Sequence, residues 1–145
     1  MLVNRILFLS AQMEKKYSIE DNPHKGNKGI ARAFRAAVNS WNGLKYAYKE
    51  ESAFRQELAL AIILIPVAIY IPCSNIEKIL LISSLFLVLI VELLNSSVEA
   101  AVDRISFDIH GLSKRAKDFG SAAVMLALGV CALTWGYVLI ETYFS

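Results

Sequence analysis

Residues 119–140, FGSAAVMLALGVCALTWGYVLI, carry no Asp, Glu, Lys or Arg over 22 positions. As an α-helix such a stretch is about 33 Å long, close to the thickness of a bilayer's hydrocarbon core. It has no polar face, so it does not fit the wall of a water-soluble bundle. Two further stretches, 58–73 (LALAIILIPVAIYIPC) and 79–91 (ILLISSLFLVLIV), are also free of charge. The first reaches spanning length with residues 54–57 at the interface, the second by running through Glu92 to about Leu94. With 56% of its 145 residues hydrophobic, the chain leaves no room for a separate soluble domain.

The fold expected is an all-α membrane protein of one domain, residues 29–145, with three transmembrane helices at about 53–72, 76–106 and 118–143. Pro66 is a candidate kink in the first span. Residues 1–28 form a charged extension with Asn22-Pro23 and Gly26, expected to be flexible. Within it Met13, which opens MEKKYSIED, is a candidate initiator. Cys73 and Cys131 belong to different depths of the expected bundle, so an intrachain disulfide is not expected.

Charge orients the bundle. Of 15 Lys and Arg, ten precede residue 58 and four (Arg104, Lys114, Arg115, Lys117) lie between the second and third spans. Lys78 alone occupies the first connection, and no basic residue follows the third span. Basic flanks stay in the cytoplasm, so the N-terminus and the 104–118 loop are expected inside, and the C-terminus outside. Trp135, Tyr137, Tyr143 and Phe144 then form an aromatic belt at the outer face.

Before the first span, Ile30, Phe34, Val38, Trp41, Leu44 and Tyr48 recur every three or four residues from 29 to about 50. Lys28, Arg32, Arg35, Asn42 and Lys49 take the other side. That pattern is an amphipathic surface helix suited to the headgroup plane, or a helix that packs on the bundle. Trp41 fits either.

The chemistry concentrates in residues 91–104, VELLNSSVEAAVDR. At about 100° per residue, Glu92, Asn95, Ser96, Glu99 and Asp103 share roughly a third of the helix circumference. Ionised groups in hydrocarbon cost several kcal/mol each, so this face needs a protein or water neighbour. Glu51 and Glu57 flank the inner end of the first span, and Lys117 with Asp118 open the third. Carboxylate oxygens at one level suit a hard cation such as Mg²⁺, and no Cys/His cluster is present for zinc. His110, alone in its loop, reads as a solvated residue. No GxxxxGK[ST] or GxGxxG segment occurs, so phosphate chemistry here would rest on metal ions, Lys and Arg.

Two other readings use the same residues. The polar face can hold helices together as an intramembrane hydrogen-bond network, or line a small oligomeric channel or proton pathway. The ladder occupies only the inner half, and the third span carries no ionisable residue to complete a pore.

Three ordered motifs carry a resemblance: ESAFRQE at 51–57, ELLNSSVEAAVDR at 92–104, and HGLSKRAKDFGSAAV at 110–124. From about residue 29 to 144 the chain resembles the bacterial integral-membrane diacylglycerol kinases. The resemblance implies a homotrimer in the bacterial inner membrane, with active sites shared between subunits at the cytoplasmic surface and a periplasmic C-terminus. It implies phosphorylation of diacylglycerol by Mg·ATP to phosphatidate, with the bilayer, ATP and diacylglycerol as partners and no nucleic acid. A related branch phosphorylates undecaprenol; Asp103-Arg104 and the 113–124 run look more like the diacylglycerol branch. By this resemblance Glu92 is the general base toward the lipid hydroxyl. Glu51 and Glu99 hold Mg²⁺, while Asn95, Asp103, Lys117 and Asp118 surround the nucleotide. Asn39 stands at a nucleotide position where the family carries an aromatic residue. Arg32, Glu57 and Ser121 match positions toward the lipid substrate, and Trp41 is placed with them.

Overall fold

The computed structural model of the chain describes residues 29–105 and 110–144. The expected extension over 1–28 and the candidate initiator Met13 lie outside the described residues. Among these residues all regular structure is helical: α1 (Ile30–Glu50), α2 (Ser52–Tyr70), α3 (Asn75–Ile105) and α4 (Gly111–Phe144). The last three are long and apolar enough to cross a membrane.

By its contacts the chain divides at residues 42 and 43. In the N-terminal unit, Gly29 takes a left-handed conformation (φ 69°) that glycine adopts without penalty. Its carbonyl accepts from Arg32 N at 3.1 Å, starting α1. Ile30, Phe34, Val38 and Trp41 are all exposed along this part of the helix. Arg32 and Asn39 are exposed on it as well.

In the second unit, α3 packs against both α2 and α4. Its buried residues Leu81, Ser84, Leu85, Val88 and Glu92 follow a three–four spacing. Of these, Leu81, Leu85 and Val88 cluster with Ala127, Cys131, Trp135 and Val138 of α4, and with Ala61 and Ala68 of α2. Phe54, Ala61 and Ala68 recur every seven residues, so α2 turns one narrow seam to the bundle. Alanine there lets backbones approach closely, which is how helices gain van der Waals contact where lipid removes any hydrophobic drive to associate. The large side chains Ile62, Ile63, Ile69, Leu126, Leu133 and Ile140 point away and stay exposed, as a lipid-facing surface requires. Pro66 lies inside α2, which runs on to Tyr70. Cys73 and Cys131 are both free thiols, and Cys131 Sγ accepts a 3.5 Å contact from Ser84 Oγ in the core.

Four residues join α2 to α3. Ser74 and Glu77 form a reciprocal cap: Ser74 N donates to Glu77 Oε2 at 2.7 Å, and Glu77 N donates to Ser74 Oγ at 3.3 Å. Lys78 Nζ then donates to the Ile69 carbonyl at 2.8 Å, satisfying an acceptor at the end of α2.

The third helix of the bundle starts earlier than its uncharged stretch suggests. Within the expected 104–118 loop, residues 111–118 are helical: α4 begins at Gly111, and His110 Nδ1 accepts from Leu112 N at 3.2 Å as a cap. His110 is therefore exposed but structurally employed. Charge limits what can sit in lipid, yet it does not stop a helix, so Lys114, Arg115 and Lys117 occupy the first turns of α4.

Ser74→Ala removes half of the reciprocal cap. It should lower the unfolding free energy by about 1 kcal/mol, read as a lower Tm in detergent micelles. An unchanged Tm would show that the cap contributes nothing to the turn.

Candidate active site

Between α1 and α2 the helical path breaks at one residue, Glu51, whose backbone is extended (φ −97°, ψ 114°). Glu51 occupies the N-cap position of α2, but its side chain makes no capping hydrogen bond. Ser, Thr, Asp or Asn would reach back to the helix; the longer Glu leaves its carboxylate available elsewhere. The break is stapled by Arg55, whose Nη1 donates to the carbonyls of Tyr48 (3.1 Å) and Lys49 (3.2 Å). These are among the last carbonyls of α1, which have no helical partner of their own.

The Glu51 side chain lines a cavity of about 380 Å³ shared with α3 and α4. Glu92, Asn95 and Glu99 of α3 and Ser121 of α4 line the same space, with Ser52, Ala53, Val124, Met125 and Leu128. Glu92 is 3% exposed, and with Ser84 it makes up the buried polar side chains among the described residues. Successive turns of α3 deliver Glu92, Asn95 and Glu99 because their spacings of three and four return to one face. Asn95 Nδ2 donates to Glu99 Oε1 at 3.1 Å. Asn95 Oδ1 is buried without a hydrogen-bond partner. Ser96 does not extend the ladder, since its hydroxyl donates back to the Glu92 carbonyl at 3.0 Å.

The other expected site residues are placed differently. Asp103, one turn beyond Glu99, pairs with Lys117 at 2.6 Å across α3 and α4, both half-exposed. Asp118 is exposed and pairs with Lys114 one turn before it, at 2.7 Å. Glu57 does not line the cavity; its Oε2 is buried without a partner, within electrostatic reach of Glu92. Arg32, Asn39 and Trp41 belong to the N-terminal unit, exposed on α1.

The structure therefore joins five expected residues, Glu51, Glu92, Asn95, Glu99 and Ser121, around one space, and sets an ion pair, Asp103–Lys117, on the same two helices. Sequence reading missed the apolar side of this space. Val124, Met125 and Leu128 follow Ser121 at helical spacing, a periodic signal hidden in a stretch where every residue is apolar. It also missed Gly120, which lies against Asn95.

The carboxylates of Glu51, Glu92 and Glu99 with the Asn95 amide give oxygen donors of the type that hard divalent cations take. Among the described residues no three His, Cys, Asp or Glu side chains gather into a group that could hold a metal ion. Mg²⁺ does not need such a cage, because it is ordinarily bound through one or two carboxylates together with substrate phosphates and water. The residues present fit that mode.

Comparison with known proteins bears on the same segment. Residues 38–139 match the family described as Prokaryotic diacylglycerol kinase. The diacylglycerol kinase of Escherichia coli (strain K12) is 48% identical over 117 residues, 81% of this chain and 95% of that protein. That of Pseudomonas aeruginosa (strain PAO1) is 47% identical over 119 residues, covering 82% and 97% respectively. That of Helicobacter pylori (strain J99) is 44% identical over 118 residues, 81% and 92%. Each alignment takes in nearly the whole relative. The chain belongs to the prokaryotic diacylglycerol kinase family.

Proposed function

We propose that this protein transfers the γ-phosphoryl group of Mg·ATP to the hydroxyl of diacylglycerol, producing phosphatidate and ADP. The observation that carries the reading is the cavity in which Glu51, Glu92, Asn95 and Glu99 meet the apolar wall of Val124, Met125 and Leu128. A lipid alcohol needs both surfaces at once: an apolar one for its chains and an acceptor at the level of its hydroxyl. The names of the relatives support diacylglycerol over undecaprenol as that alcohol.

Glu92 is the general base. A carboxylate withdrawn from water and held on a rigid helix accepts the hydroxyl proton as the oxygen attacks the phosphorus, and no long-range movement of the substrate out of the membrane is needed. Glu51 and Glu99 would hold Mg²⁺, which supplies charge neutralisation on the triphosphate. Asn95 steadies Glu99 through the 3.1 Å hydrogen bond. Lys117, held by Asp103, supplies a cation on the nucleotide side, with Asp118 and Asn39 assigned to the same substrate. Ser121 and Glu57 are assigned to the lipid side, as are Arg32 and Trp41 on α1. Catalysis of this kind is mostly positioning and charge compensation, so it asks little covalent chemistry of the protein.

The arrangement of basic residues supports an inner-membrane location with the N-terminus and the α3–α4 connection in the cytoplasm and the C-terminus in the periplasm. The protein is proposed to act as a homotrimer, whose neighbouring subunits would complete each site.

Glu92→Gln should abolish turnover while assembly and most nucleotide binding persist; retained turnover would remove Glu92 from the role of base. Glu99→Gln should raise the Mg²⁺ concentration for half-maximal rate about 10-fold or more, and an unchanged metal dependence would reject it as a ligand. Purified protein given labelled ATP with diacylglycerol, monoacylglycerol or undecaprenol should label diacylglycerol fastest. A preference for undecaprenol would reassign the substrate, and ion flux without phosphate transfer would reject the kinase.

A further inference from the structure

We propose that Gly120 is a positioning residue: its missing side chain seats the Asn95 amide, which in turn holds the Glu99 carboxylate toward the cavity. The inference rests on the reading of Glu99 as a residue of the metal–nucleotide side.

A methyl group at position 120 would collide with Asn95 Oδ1 and would lie 3.2 Å from its Cγ and 3.7 Å from its Cα. The contact with Cα is ordinary, so the two helix backbones tolerate a side chain here. The conflict falls on the amide. That amide is bonded at one end and confined at the other. Its Nδ2 donates to Glu99 Oε1, and its Oδ1 is buried against α4 without a hydrogen-bond partner. Reversing the amide would turn an oxygen toward the Glu99 carboxylate, a repulsive pairing, so Glu99 itself selects the observed orientation. The oxygen must then lie on the α4 side, where a glycine leaves room. Of the glycines whose surroundings are described on α4, Gly129 and Gly136 face open space, as does Gly111. Gly120 differs from them in having a group to accommodate.

An added methyl is expected to rotate the Asn95 side chain, break its bond to Glu99 and leave the carboxylate free to turn from the cavity. The cost then appears in metal–nucleotide use more than in folding. Loss of a residue that orients a metal ligand typically weakens metal use by about 10- to 100-fold.

Gly120→Ala, measured in detergent–lipid micelles, should raise the Mg²⁺ half-saturation by about 10-fold or more while the KM for diacylglycerol stays unchanged. In an Asn95→Ala background, where the colliding oxygen is gone, Gly120→Ala should cause no further loss. Additive losses in the double variant, or an equal rise in the lipid KM, would overturn the proposal in favour of a packing role. A second measurement does not depend on catalysis. The Asn95 side-chain amide NMR signal, identified by its absence in Asn95→Ala, should shift in Gly120→Ala as it does in Glu99→Gln. An unshifted signal overturns the inference whether or not any lipid is phosphorylated. Failure of the kinase reading would instead appear as an inactive unsubstituted protein.

Discussion

A carboxylate on a membrane-spanning helix has to be kept away from acyl chains, and that requirement organises the bundle. Glu92 sits on α3, the helix that packs on both other spans, and it is almost fully covered. The face of α3 that carries it becomes the face that must be shielded. Shielding without squeezing out the acid needs neighbours with small side chains at close approach and a gap where the acids lie. Ala61 and Ala68 provide close approach along the apolar length of α2, and Gly120 leaves room on α4 for the Asn95 amide. The gap opens where α2 starts, at the extended residue Glu51.

The polar groups divide into two tiers. Glu51, Glu92, Asn95 and Glu99 share the cavity, while Asp103 and Lys117 neutralise each other in a half-exposed pair one turn further along. The inner tier has an excess of negative charge with no Lys or Arg lining the same space. A space of that kind favours a cation and disfavours a bare anion. The outer tier presents charge to water. A soluble polyanion and a lipid alcohol approaching the same carboxylates would come from these two sides.

Much of this was legible in the sequence, and the limits are physical. The three spans followed from uncharged length, and the acid-bearing face of α3 followed from 100° per residue. That arithmetic describes one helix at a time. It puts Asp103 on the same face as Glu92 and Glu99, yet Asp103 turns to Lys117, a partner on another helix. Lys114 and Asp118 are four residues apart, the spacing at which helical neighbours pair, but this becomes visible only once α4 is known to start at Gly111. The early start was hidden because charge was used to delimit the span, and charge ends a lipid-facing segment without ending a helix. Arg55 stapling the α1–α2 break depends on where carbonyls of another element lie, which no periodicity encodes.

The short link between α2 and α3 bears on how the chain enters its membrane. The charged side chains that follow it in the first turn of α3, Glu77 and Lys78, have opposite signs, and both are already engaged by backbone groups within or beside the link. A two-helix segment with so compact and electrically balanced a tip can be threaded across the bilayer as one piece during synthesis. Were that pair to insert first, the final helix would dock on a partner already in place, and the cavity would close around the acids only at that last step.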